Sequence, residues 1–243
     1  VALHFVVDEA TDARVGDRVM LTGAEAHHAA TVRRVRAGET ITLGDGRGAW
    51  LTAVCEDVTP QQVAVRVTAR EDVPAASPRV VLVQALAKGD RDELAVQAAT
   101  ELGVDEIVPW QAARSISRWE GAKQAKGRTR WQSIAREAAK QAHRAWIPEV
   151  AEVITTRALI GRAAASRLVV LDPAGTVPLS GLDVGDGRDI VLVVGPEGGI
   201  AAEELSAFAE AGAVIAALGS TVLRTSTAGP AALAVVSTRL GRW

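Results

Sequence analysis

Gly195-Pro196-Glu197-Gly198-Gly199 is the stretch of this 243-residue chain whose residue types and spacing point most directly to chemistry. Three glycines around a proline let the backbone approach a ligand closely while the loop keeps a fixed shape. A glycine-rich turn ahead of a helix commonly holds phosphate, yet neither the P-loop pattern nor G-x-G-x-x-G occurs here. Glu197 lies in the middle of the loop, where a carboxylate repels a pyrophosphate. A neutral or cationic nucleoside fits better, and S-adenosylmethionine, with an adenosine, a positive sulfonium and no phosphate, meets that description. The same pattern also suits a tight left-handed turn in which Glu197 caps the next helix. Two more loops have comparable placement, Leu171-Asp172-Pro173-Ala174-Gly175 and Leu218-Gly219-Ser220-Thr221-Val222-Leu223-Arg224, each at the end of an apolar run.

Those runs read as strands of an α/β domain. Val80 to Ala87 is a largely apolar strand, Leu168 to Asp172, Ile190 to Val194 and Ala213 to Leu218 look like strands buried on both faces, and Glu106 to Pro109 is a shorter one. Helices are predicted over Asp90 to Leu102, Arg130 to Ala145, Ala202 to Ala211 and Pro230 to Leu240, with Pro230 suited to a first turn. Strand–helix alternation of this kind predicts a parallel sheet covered by helices, with ligands bound beyond the carboxyl ends of the strands.

The amino-terminal part differs. Leu3 to Val7, Arg18 to Thr22, Thr40 to Leu43, Ala49 to Cys55 and Gln62 to Thr68 alternate apolar and polar between turn signals, and only Ala24 to Val35 looks helical. The expectation is a small β-barrel module over residues 1–74 and a second domain over 75–243, the boundary falling in Val73-Pro74-Ala75-Ala76-Ser77-Pro78. Cys55 is the sole cysteine, so no intrachain disulfide forms, and it reads as a small buried hydrophobe. His4, His27, His28 and His143 lack the spacing of a metal site. No apolar run approaches a membrane span and Val1 to Val7 lacks the basic start of a signal peptide, so the expected location is the cytoplasm.

Net charge is −2, but it is unevenly spread. Gln111 to Trp146 holds nine basic residues against Glu120 and Glu137, a local balance of +7 that leaves −9 for the rest. Such a segment is either a solvated helix face or an electrostatic footprint for a polyanion, because neutralising phosphates releases condensed counterions. Lys88, Arg91, Arg114 and Arg144 are candidates for phosphate contacts, and Arg33, Arg34 and Arg36 supply a second patch. Trp119 and Trp131 lie in the basic segment; base stacking is open to them, although core packing or an interface is the more common use.

Taken together, Gly195-Pro196-Glu197-Gly198-Gly199 followed by Glu203-Glu204, then Leu218-Gly219, Val222-Leu223-Arg224-Thr225 and Thr227-Ala228, resembles the closing part of the SPOUT methyltransferases of the RsmE type. Lys88-Gly89-Asp90-Arg91, Glu101-Leu102-Gly103-Val104, Arg114-Ser115 and Arg130-Trp131 through Ile147-Pro148 extend the likeness upstream. His27-His28 with Val32-Arg33-Arg34-Val35-Arg36 is similar to that family's PUA-like RNA-binding module. The resemblance covers nearly the whole chain, in order. Two departures stand out: Ser226 where the family commonly has Glu, and the surroundings of His4 where an arginine is usual.

The resemblance implies methylation of a uridine at N3 in 16S ribosomal RNA by a homodimer whose active site uses both subunits. It also implies a carboxy-terminal SPOUT fold closed by a deep trefoil knot. S-adenosylmethionine would be held by Leu171, Gly195, Pro196, Glu197, Gly198, Leu218, Gly219, Ser220, Val222 and Leu223. RNA would contact His27, Arg33, Arg34, Arg36, Lys88, Arg91, Arg114 and Arg144. Uracil N3–H is a weak acid, so transfer needs proton loss or stabilisation of the ring anion, roles open to Glu197 and Arg224; no metal is required. A non-catalytic RNA-binding or ribosome-assembly protein of the same fold is the alternative from another class. A knotted methyltransferase acting on transfer RNA shares the cofactor loops but not the amino-terminal match.

Overall fold

The computed structural model describes residues 3–243, and they divide into two compact units. The first comprises residues 3–75 with Ala139–Ile147; the second comprises Ala76–Ala138 and Pro148–Trp243. Ala139–Ile147 thus packs with the amino-terminal unit, although the sequence pattern groups it with the second.

In the first unit β1 (His4–Val6), β2 (Arg18–Thr22), β3 (Thr40–Gly44), β4 (Ala49–Val58) and β5 (Gln62–Asp72) form a five-stranded sheet in the order β1-β3-β4-β5-β2. All neighbours are antiparallel except β1 and β3. Register shifts in the β4–β5 ladder at Thr52/Ala53 and Cys55/Asp57 mark bulges of the kind that bend and coil a sheet. Alternate residues of these strands, among them Leu43, Leu51, Cys55 and Val65, meet in one apolar core. Cys55 is buried, and that burial raises its thiol pKa.

The helix expected over Ala24 to Val35 is shorter and less regular. An α-helical turn, α1 (Gly23–His27), passes into a π-helical turn at His28–Val32, closed by the Arg33 amide on the His28 carbonyl at 2.8 Å. Arg34 then adopts a positive φ of 55°, which ends the helix. The unit also gathers polar side chains far apart in sequence. His4 stacks on Trp50 with ring centroids 4.3 Å apart, and Lys140 pairs with Glu25 at 2.8 Å. Burial, then the neighbouring His143 and Lys140, lower the His4 pKa to about 4.

The second unit is built on an all-parallel sheet in the order β11-β13-β10-β12-β6-β7-β8, with β9 also pairing β7. In chain order its elements are β6 (Val80–Ala85), α2 (Arg91–Glu101), β7 (Glu106–Gln111), α3 (Ala122–Gln141, ending in the first unit), β8 (Glu149–Val150), β9 (Ile154–Thr155), α4 (Thr156–Ile160), β10 (Arg167–Leu171), β11 (Val177–Pro178), β12 (Ile190–Val194), α5 (Ala202–Glu210), β13 (Val214–Ala217) and α6 (Thr225–Arg239). Both faces of the sheet are covered. Val80 and Leu82 enter one core with Trp131 and Leu233, whereas Val81 and Val83 enter the other with Trp110 and Phe208. This period of two within the apolar run Val80 to Val83 is what a doubly covered strand requires.

Two helices start earlier than expected. α3 begins at Ala122, eight residues before Arg130, and runs through Gly127. A Cβ at Gly127 would fall within the Trp119 ring, and Trp119 meets Trp131 edge to face at 5.1 Å. Both tryptophans belong to the apolar core of this unit, so packing outweighs the low helix propensity of glycine. α6 begins at Thr225, which places Pro230 inside the helix rather than in its first turn.

Candidate functional site

β10, β12 and β13 are neighbours in a parallel sheet, so their carboxyl ends lie together and the loops leaving them converge. They enclose a cleft of about 400 Å³. Its lining comes from Leu171, Asp172 and Pro173 after β10, from Val194 to Glu197 with Gly199 and Ile200 after β12, and from Leu218, Gly219 and Thr221 to Arg224 after β13. Thr225 and Ala228 of α6, together with Arg91 of α2, complete it.

The loop after β12 is tied at several points. The Thr225 hydroxyl donates to the Gly195 carbonyl at 2.8 Å, Arg114 Nη1 donates to the Gly198 carbonyl at 3.1 Å, and the Gly199 amide donates to the Pro196 carbonyl at 2.9 Å. Gly195 has no room for a side chain, since a Cβ there would lie 2.6 Å from Ile200 Cγ1. Glu197 Oε1 accepts from the Lys88 amide at 3.0 Å and from Arg91 Nη1 at 2.9 Å. Desolvation pushes the Glu197 pKa up, but hydrogen bonds from its own amide, the Lys88 amide and Arg91 outweigh it and hold the carboxyl below its ordinary value. Glu197 does not cap the next helix: the residue before α5 is Ala201, whose amide is taken by Glu204 Oε2. Glu204 is buried, and its other oxygen accepts from the Ala113 amide at 3.0 Å and the Thr156 hydroxyl at 2.6 Å, fixing the segment that carries Arg114.

The loop after β13 has a different character. Among the described residues, the backbone amides and carbonyls of Gly219–Leu223 have no hydrogen-bond partner within the chain. Gly219 sits at φ +82°, a region that favours glycine. Val222 is 79% exposed. Arg224 lines the cleft; its carbonyl accepts from the Thr227 and Ala228 amides, while its guanidinium has no hydrogen bond or ion pair to another described residue. A run of unpaired backbone donors and acceptors beside apolar Leu171, Leu218 and Leu223, with no lysine among the lining residues, suits a nucleoside with several ring and ribose polar groups better than a polyphosphate.

Most residues expected at the cofactor site therefore share one cleft, Leu171, Gly195, Pro196, Glu197, Leu218, Gly219, Val222 and Leu223, and the catalytic candidate Arg224 lines it with them. Gly198 and Ser220 are in the same loops but not in its lining. Ser226 is half-buried in α6 and is likewise absent from it. Arg91 and Arg114, expected at phosphates, are engaged with the glycine loop, and the Lys88 backbone joins them. His27, Arg33, Arg34 and Arg36 are exposed in the first unit, where Arg144 is half-buried. The sequence pattern assigned no role to Gln84, or to Thr225 beyond its place in a motif; an isolated glutamine in the run Val80-Val81-Leu82-Val83-Gln84-Ala85 was the available signal.

Comparison with known proteins agrees with this geometry. An RNA methyltransferase domain model matches residues 75–237, and an RNA methyltransferase PUA domain model matches residues 21–68. The chain is 44% identical over 248 aligned residues to the ribosomal RNA small subunit methyltransferase E of Mycobacterium tuberculosis, covering 100% of this chain and 94% of that protein. Its Bacillus subtilis counterpart is 31% identical, with 89% and 88% covered. The crystal structure of the Neisseria gonorrhoeae ribosomal RNA small subunit methyltransferase E, bound to S-adenosylmethionine, superposes with a TM-score of 0.88 at 30% identity and covers 98% of each chain. With its two matched domains and its three converging loops, this chain belongs to the ribosomal RNA small subunit methyltransferase E family of SPOUT methyltransferases.

Proposed function

We propose that this protein transfers the methyl group of S-adenosylmethionine to N3 of a uridine in the 16S ribosomal RNA of the small subunit. The observation that carries the reading is the cleft at the ends of β10, β12 and β13, where the unpaired backbone of Gly219–Leu223 faces the tethered glycine loop. S-adenosylmethionine supplies an activated methyl group on a positively charged sulfur. Backbone groups of Leu218, Gly219, Val222 and Leu223 would hold the adenosine, with the apolar side chains of Leu171 and Leu223 against its ring.

The chain's own residues would then manage charge. Arg224, at the cleft and without an ion-pair partner, is suited to stabilise the negative charge that develops on a uracil carbonyl oxygen as N3–H is lost. Glu197 is kept ionised by its donors, which suits it to favour a cationic sulfur nearby; a carboxylate with a lowered pKa is a weak proton acceptor. Arg91 and Arg114 each spend only part of a five-donor guanidinium on the glycine loop, leaving further donors for RNA phosphates beside Lys88. His27, Arg33, Arg34, Arg36 and Arg144 would extend the footprint from the PUA-like unit, so that a structured RNA is read largely through its backbone and the target base is drawn from its stack. The deep knot formed by the last loops and the homodimer completing the active site are part of the same reading.

The test is mass spectrometry of small-subunit RNA from a strain lacking the gene. Loss of N3-methyluridine, restored by the wild-type gene and not by Arg224→Ala, is expected. Full retention of the modification in the deletion strain refutes the cellular role.

A further inference from the structure

We infer that Gln84 and Thr225 are positioning residues for the cofactor cleft, a buried chain of hydrogen bonds from Gln84 Nε2 through Thr225 Oγ1 to the Gly195 carbonyl setting the exit of β12 and the entry of α6 in one arrangement. This rests on the cleft being the cofactor site proposed above. Gln84 is fully buried in β6 between Val83 and Ala85. An amide stripped of water in that position is tolerated only through its hydrogen bonds. Nε2 donates to Thr225 Oγ1 at 2.8 Å and to the Ala85 carbonyl at 3.2 Å, whereas the buried Oε1 has no partner. A side chain retained for stability alone would be an apolar one of similar size, which removes the stranded oxygen. What glutamine adds is direction. Thr225 carries one hydroxyl proton, and accepting from Nε2 leaves that proton for the Gly195 carbonyl at 2.8 Å.

Both ends of the chain of bonds lie in the cleft lining, at Gly195 and Thr225. Thr225 is also the first residue of α6, and the preceding Arg224 provides no side-chain cap. The Thr225 tie is the side-chain hydrogen bond that joins the first turn of α6 to the exit of β12. That turn follows directly on Gly219–Leu223, whose backbone groups have no internal partner to fix them. The tie spans 141 residues between Gln84 and Thr225 and 30 between Thr225 and Gly195, joining β6, the tethered loop and the start of α6.

The experiment measures the affinity of the full chain for S-adenosylhomocysteine by calorimetry, alongside thermal unfolding without ligand. Thr225→Val, which keeps shape and removes both bonds, is expected to weaken binding about tenfold, and Thr225→Ser to restore it to within about twofold of wild type. Gln84→Leu is expected to weaken binding about fivefold without lowering the unfolding temperature, a combination that a merely structural role does not produce. Wild-type affinity in folded Thr225→Val or in Gln84→Leu overturns the inference, as does a loss that Thr225→Ser fails to repair. Absence of binding by the wild-type protein instead overturns the reading of the cleft as a cofactor site.

Discussion

The two glycine-bearing loops of the cleft are built on opposite principles. Gly195–Gly199 is tied at several points: two carbonyls by side chains, one amide within the turn to the Pro196 carbonyl, and the Glu197 carboxylate by α2 and the strand exit before it. Gly219–Leu223 has no such ties among the described residues. Rigid backbone on one side defines a place, while unpaired backbone on the other leaves donors and acceptors for whatever occupies it. Preorganising one wall keeps the ordering cost of binding low, and leaving the other wall unsatisfied supplies hydrogen bonds that are complete only in the complex.

The contrast is open to being broken, most severely at Gly195. Gly195→Ala forces a Cβ against Ile200 and is expected to cost about 3 kcal/mol in urea unfolding, with S-adenosylhomocysteine binding lost in calorimetry. Gly219→Ala meets no atom within 4 Å and suffers only its positive φ, so about 1 kcal/mol and a severalfold loss of affinity are expected. Hydrogen exchange sharpens the same point: amides of Gly219–Leu223 are expected to exchange freely in the unliganded protein and to gain protection with S-adenosylhomocysteine, while the Gly199 amide is protected in both states.

Acid titration probes the Glu197 tether more gently. The folded pKa of Glu197 is lowered from 4.5, so the stability it contributes is present above that value and is lost as pH falls through the folded pKa. Glu197→Gln, at a side chain 22% exposed, is expected to cost about 0.5 kcal/mol at pH 7, and chemical unfolding should show the difference from wild type vanishing in acid. Ser220→Ala, outside the cleft lining, should leave both stability and affinity within measurement error, near ±0.5 kcal/mol.

Much of this architecture was legible because its signals are local. Ile190 to Val194 is a strand with the bounds its apolar run suggests, and β2 likewise spans Arg18–Thr22. The Gly-Pro-Glu-Gly-Gly loop announced itself through conformational demands that few residues satisfy. What misled was also local. The helix expected from Arg130 and the one expected from Pro230 both start earlier: α3 begins at Ala122 and runs through Gly127, where Trp119 occupies the space a side chain would need. α6 reaches back past Pro230, to where Thr225 is anchored on Gly195. Glu197 and Glu204 are both acidic residues near the start of α5, and nothing in their spacing told which one caps the helix and which one faces Arg91.

The amino-acid sequence by itself determined the alternation of buried strands and helices, the glycine-rich turns at their ends, and the family, since periodicity, backbone permissiveness and motif order are properties of short stretches read in line. Only the tertiary structure decided which turns meet. Parallel pairing of β10 with β12 and β13 brings residues 171, 195 and 219 to one cleft, and Gln84 finds Thr225 across 141 residues of chain. Hydrogen-bond partners so distant are selected by the packing of the whole sheet, and a buried amide becomes intelligible only once the group it serves has been placed beside it.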